Sequence, residues 1–185
     1  MACGIWHRYT TSKSFKFRDN YMNDLHTGKL RNMASVYLIQ GNRILLLYRQ
    51  GNSIVKNMWI GSAGGHFEKD EVNDAKACVL RELYEELAVD ETSLMNLKLR
   101  YVTLRNTSDE LRINYYFFAD LDTSHTPYLP STEGITKWYS LDELSALSMP
   151  FTARYMINHY TAVGQYDDAL YGGIANENGV VFTKL

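Results

Sequence analysis

The chain predicts an α/β fold: a mixed β-sheet covered by helices. Three observations lead there. Its 185 residues, 45% hydrophobic and 22% charged, have the size and mix of one globular domain with a real core. Runs rich in β-branched and aromatic residues alternate with helical patterns. Finally, the strands and helices do not follow a regular β-α-β repeat, which disfavours a doubly wound parallel sheet.

Taken in order, residues 1–32 differ from the rest of the chain. Arg8, Lys13, Lys16, Arg18, Lys29 and Arg31 stand against Asp19 and Asp24, a balance of +4 in a chain whose net charge is −2. The segment lacks both a sustained apolar period and the apolar core of a secretory signal. It reads as a poorly ordered extension, with the domain proper over residues 33–185. "ASVYLIQGNRILLLYRQG" then predicts two strands around Gly41-Asn42. "MWIGSAGGHFE" is glycine-rich and partly extended, and Asp74 to Leu87 reads as a helix. "LKLRYVTLR" and "INYYFFADL" are strands, and "TKWYSL" is a shorter one. "SLDELSAL" predicts a short helix capped by Ser140, "FTARYMINHYTAV" a longer helix, and "LYGGIANENGVVFTKL" a closing hairpin.

Composition excludes some roles. The slight negative charge gives no general attraction to nucleic acid or anionic membranes. No apolar run approaches the roughly 20 residues of a membrane helix. Two cysteines, Cys3 and Cys78, make no disulfide framework, so a reducing, cytoplasmic setting is expected.

The chemistry concentrates in "RELYEEL", Arg81 to Leu87. On a wheel of about 100° per residue, Glu82, Glu85 and Glu86 share one arc. Cys78 and Ala75 fall on that arc, while Leu80, Leu83, Tyr84 and Leu87 take the opposite side. Like charges at i, i+4, as in Glu82 and Glu86, destabilise an isolated helix by a few tenths of a kcal/mol. Arg81 relieves part of that repulsion. A solvated acidic face and a cradle for a hard divalent cation both fit this pattern. Upstream, Gly64-Gly65 lets bare peptide groups approach whatever lies above them. Asn73 and Asp74 are both suitable helix caps.

Together, Gly65, Glu71, Arg81-Glu82-Leu83-Tyr84-Glu85-Glu86 and Val89 resemble the signature box of the Nudix hydrolases, MutT-type members included. Two departures stand out. Nine residues separate Glu71 from Arg81 where the pattern has seven, and Ala88 replaces a glycine. The extra residues belong to the loop before Asp74, which spares the helix glutamates. The role of Glu71 then has three candidates, Glu71, Glu68 and Asp74, and Arg81 is expected to orient Glu85 or whichever of these loop carboxylates reaches it.

The resemblance implies an α/β/α sandwich and hydrolysis of a nucleoside diphosphate linked to another group. Mg²⁺ is the implied cofactor, with Mn²⁺ as a substitute. It implies Glu82, Glu85 and Glu86 as metal ligands, the Gly64 carbonyl completing the set, and Arg81 as their brace. A short match implies Glu133 as a further catalytic carboxylate. Gly65, His66 and Phe151 are the expected substrate contacts. Tyr48, Trp59, Tyr115 and Phe117 are aromatics that could stack on a base, though most suit a core. The similarity to bacterial members favours nucleoside triphosphates such as 8-oxo-dGTP; ADP-ribose, nucleotide sugars and dinucleoside polyphosphates are the alternatives. A nucleotide-sensing module would have lost carboxylates that are all kept here. An isoprenoid diphosphate isomerase would need a cysteine that this site lacks. The partner expected is a small nucleotide, with neither nucleic acid nor membrane; a homodimer is compatible.

Overall fold

A computed structural model describes residues 29–49, 57–107, 109–122 and 129–185. Among these, nine strands form one sheet: β1 (Lys29–Gln40), β2 (Arg43–Arg49), β3 (Met58–Ile60), β4 (Ala63–His66), β5 (Leu94–Asn106), β6 (Glu110–Leu121), β7 (Gly134–Ser140), β8 (Tyr171–Ala175) and β9 (Val180–Lys184). The main order is β3-β2-β1-β6-β5-β8-β9, with β4 added to β1 and β7 to β2. The β1–β6 and β5–β8 pairs are parallel and the others antiparallel, so the sheet is mixed.

Alternation along the strands sends apolar side chains to both faces, and one helix covers each. Helix α1 (Ala75–Leu87) buries Val79, Leu83 and Leu87 with Val36, Leu38, Leu45 and Phe117. Helix α2 (Phe151–Ala162) buries Ala153, Met156, Ile157 and Tyr160 with Tyr37, Ile44, Leu46, Tyr101 and Phe118. Tyr160 stacks on Phe118 with ring centroids 4.1 Å apart. The result is the α/β/α sandwich the sequence implied. No helix among the described residues is long and apolar enough to cross a membrane.

β1 organises the site because its partners change along its length. It meets β2 at Ile39 and Gln40, and β4 from Met33 to Val36. Farther along, where β1 and β2 no longer pair, the buried Ser62 hydroxyl links them. It accepts from Leu38 N (2.8 Å) and donates to Leu45 O (2.6 Å). That clip fixes the loop leading into Gly64-Gly65.

Two expectations need correction. Lys29–Asn32, placed in the extension by their composition, are strand: they pair in register with Glu110–Ile113 of β6. Their polar sequence hid this, since apolar content was the strand signal. The reading of residues 1–28 lies outside the described residues. The short helix expected at "SLDELSAL" is only a 3₁₀ turn at Leu144–Ala146. Ser140 ends β7, and the capping runs the other way: the Glu143 carboxylate accepts from Ser140 N and Oγ, both at 2.8 Å.

Candidate active site

α1 starts where Asp74 caps it, accepting from Ala77 N at 3.0 Å. The loop before it absorbs the two extra residues. A 3₁₀ turn at Lys69–Glu71 is followed by Val72 and Asn73, the latter at φ 72°. The expansion therefore leaves the helix glutamates undisturbed, as expected. It also leaves Glu71 in place. Arg81 holds Glu71 with both arms of its fork, Nε to Oε1 at 2.6 Å and Nη2 to Oε2 at 2.9 Å. Glu68 instead turns to Glu71, donating its N–H to the Glu71 carboxylate (2.8 Å) and accepting from Glu71 N at its carbonyl (3.1 Å), and Asp74 is occupied as the cap. The three candidates thus reduce to Glu71. Arg81 Nη1 also reaches Glu82 (2.8 Å) and Glu85 (3.0 Å), and Nη2 reaches the His66 carbonyl (3.1 Å).

The glycine pair acts through close approach. A Cβ on Gly65 would stand 2.1 Å from Glu82 Oε1, and one on Gly64 2.5 Å from the Ala34 carbonyl. β4 therefore presses against α1 and β1 with only backbone between them. The Gly64 N–H donates to Glu86 Oε2 at 3.2 Å. Cys78 is buried beneath this contact, near the Gly65 and His66 carbonyls, and Tyr84 is exposed. Cys78 thus keeps its place on the glutamate arc, facing the same glycine strand as Glu82, whereas Tyr84, expected on the apolar side, turns outward.

The carboxylates differ in environment. Hydrogen bonds from Arg81 hold the Glu71 carboxyl down to about 2. Burial pushes Glu86 up to about 7, against the opposing pull of the Gly64 N–H and Arg49. Glu82 and Glu133 add negative charge around it and raise it further. Burial and then Arg31 push His66 below the ordinary histidine value, and Arg31 Nε donates to its Nε2. Burial drives the Cys78 thiol up to about 12, so it is no nucleophile.

Glu82, Glu85, Glu86, Arg81, Gly64, Gly65, His66 and Glu133 line one cleft of about 630 Å³. Phe151 does not. It lines an adjoining pocket of about 190 Å³, where Arg105 lies over its ring at 4.4 Å. The other aromatics pack: Tyr48 on Trp59, Trp59 on Tyr139, Tyr115 on Phe67, and Phe117 in the core. Sequence reasoning missed Arg49, whose Nη2 stands 3.4 Å from Glu86 and 3.2 Å from Glu133. Its strand parity with Leu45 and Leu47 was the available signal. Arg31, which also lines the cleft, was hidden in the supposed extension.

Among the described residues no three acidic, histidine or cysteine side chains close into a ready metal cage. Mg²⁺ does not require one, since it keeps several waters and binds through one or two carboxylates plus substrate phosphates. The donor set fits that mode. Glu82 and Glu86 stand one helical turn apart beside a glycine floor, and buried Glu86 lies in an excess of negative charge.

Comparison with known proteins agrees with this architecture. The NUDIX domain family matches residues 29–160. No curated protein sequence matches. A MutT protein from Bacillus halodurans superposes with a TM-score of 0.60 at 18% identity, covering 83% of this chain and 97% of its own. One from Methanosarcina mazei gives 0.60 at 18%, covering 76% and 99%. A Caenorhabditis elegans Ap4A hydrolase gives 0.58 at 17%, covering 74% and 99%. With the NUDIX domain family matched over residues 29–160 and its acidic helix and glycine floor assembled, this chain belongs to the Nudix family, as a hydrolase of pyrophosphate bonds in nucleoside diphosphate-linked substrates.

Proposed function

We propose that the protein is a Mg²⁺-dependent pyrophosphohydrolase whose reaction centre is the α1 cradle. The observation that carries this is the gathering of Glu82, Glu85, Glu86 and Glu133 over the Gly64-Gly65 floor in one cleft. Glu82 and Glu86 would hold the cation, Glu85 would join through water, and the Gly64 carbonyl would complete the set; Mn²⁺ can replace Mg²⁺ there. When bound, such a cation neutralises the phosphate oxygens and lowers the pKa of water.

The chain's own groups do the rest. Arg81, anchored on Glu71, keeps Glu82 and Glu85 from swinging away. Arg49 holds Glu133 beside Glu86, near enough to the cradle to take a proton from the attacking water. A P–O bond forms to that water and the bridging P–O bond breaks. Gly65 and His66 border the cleft where the diphosphate lies. Nucleoside triphosphates head the substrate expectation, with 8-oxo-dGTP giving the monophosphate and pyrophosphate. ADP-ribose, nucleotide sugars and dinucleoside polyphosphates fall within the same chemistry.

A substrate panel with Mg²⁺, reading monophosphate and pyrophosphate separately, tests the proposal. Glu82→Gln and Glu86→Gln should each lower kcat at least about a hundredfold with urea midpoints preserved. Near-normal rates in both variants would discard the metal assignment.

A further inference from the structure

The pocket adjoining the cleft has a charge pattern that catalysis at the cradle does not use. Arg31 of β1 pairs directly with Arg112 of β6, and Arg112 pairs directly with Arg105 of β5. Three arginines therefore stand in one row across three adjacent strands. All three line the 190 Å³ pocket on the α2 side. Like charges directly opposite one another on a sheet are destabilising.

Compensation among the described residues is thin. Glu110 accepts from Arg112 and lies 3.5 Å from Arg31. Arg105 rests on the Phe151 ring, an interaction that leaves its charge in place. Among the described residues lining the pocket none is a carboxylate, and Arg49 is a fourth arginine there, its Nη2 turned to Glu86 and Glu133 of the cleft. Arg49 Nε is buried and has no hydrogen-bond partner among the described residues. The first turn of α2 borders the same space through Phe151, Thr152 and Ala153. Pro150 gives that turn no side-chain cap, and it contains no acidic residue. Its free N–H groups add positive potential to that of the arginines.

The pocket also continues into the catalytic cleft. Arg31, Met33, Arg49 and Gly64 line both. At about 190 Å³ it falls below the roughly 300 Å³ at which sites for whole drug-sized ligands begin, so it suits one group of a larger molecule.

We infer that the Arg31–Arg112–Arg105 row binds a phosphate carried by the substrate outside the diphosphate that is cleaved. The preferred substrates are then nucleoside diphosphate conjugates bearing an additional phosphate monoester. This rests on the hydrolase reading of the cradle and puts such conjugates ahead of the nucleoside triphosphates in its substrate order. Guanidiniums bind phosphate through paired, charge-assisted hydrogen bonds, which a neutral nucleobase cannot match.

Matched substrate pairs test it, because each differs by one phosphate: coenzyme A against its 3′-dephospho form, and NADPH against NADH. 8-oxo-dGTP, whose added charge is only a terminal anhydride phosphate, is the third arm. The phosphorylated member of at least one pair should show kcat/KM at least about tenfold above its partner and above 8-oxo-dGTP. Arg112→Gln and Arg105→Gln should each bring that ratio towards one, with urea midpoints confirming that both variants fold. Equal or inverted ratios in both pairs, preference for 8-oxo-dGTP, or ratios unmoved by either variant would overturn the inference and leave the hydrolase reading standing.

A binding arm separates the two readings if nothing is turned over. Adenosine 3′,5′-bisphosphate should bind at least about tenfold tighter than 5′-AMP by calorimetry, and Arg112→Gln should remove the difference. Seen without turnover, that result keeps the anion site and discards the hydrolase reading. Equal binding of the two nucleotides discards the site.

Discussion

At the scale of single residues, Arg81 shows why a guanidinium stands there. Its Nε, Nη1 and Nη2 serve three carboxylates and one carbonyl at once. A lysine at the same place has one nitrogen and no planar fork. Glu71 is the deepest of these partners, and its carboxyl sits at about 2 rather than its ordinary value of 4.5. That depression fixes the sign of the pH effect. Above about 4.5 the group is ionised whether the chain is folded or not, and the full stabilisation is present. As pH falls, the unfolded chain takes up a proton that the folded one refuses. The contribution therefore drains away until pH reaches about 2. Glu71→Gln should flatten the fall in urea midpoint between those pH values relative to the parent protein. Parallel slopes for the two proteins would contradict the pairing.

At the scale of elements, α1 has an unusual C-terminal end. Ala88, which caps its C-terminus, adopts the left-handed conformation, φ 53°, and its N–H closes on the Tyr84 carbonyl at 2.9 Å. The turn therefore keeps the glycine geometry of the family pattern in spite of the alanine. A non-glycine residue there stores strain on the order of 1 kcal/mol, part of which glycine would lose to unfolded-chain entropy. Ala88 is exposed, so no packing is at stake. Ala88→Gly should raise unfolding stability by up to about 1 kcal/mol in urea titrations, and a destabilised variant would refute the strain. This helix was also the most legible part of the chain. Its glutamates, arginine and cap depend on local spacing, and local spacing is what a sequence displays. Tyr84 escaped because the packing above the helix decides where the apolar stripe ends, and wheel spacing alone does not display it. The Arg31–Arg112–Arg105 row was illegible for a stronger reason. Those residues lie far apart in the chain and meet only through the register of three strands.

At the scale of the whole molecule, the sheet binds these pieces together. Its mixed character was readable from the irregular order of elements, whereas the parallel β1–β6 pairing was not, because no helix directly links two adjacent parallel strands as a signal. The extra length of β1 carries a consequence for truncation. A chain beginning at Met33 loses Lys29–Asn32 and leaves Glu110–Ile113 without those partners. It should unfold at lower urea than a chain beginning at Lys29, and equal midpoints would show that those four residues contribute nothing. β1 has one further property. Arg31 stands on it, and Ala34 and Ser35 of the same strand pair with Gly65 and Gly64. Three to four residues of extended backbone separate the two sites, about 10–13 Å at the rise of a strand. No hinge or loop lies between them. β1 is therefore a ruler: the spacing between the catalytic floor and the arginine row is set by covalent geometry, and the inferred anion site would select substrates by length as well as by charge.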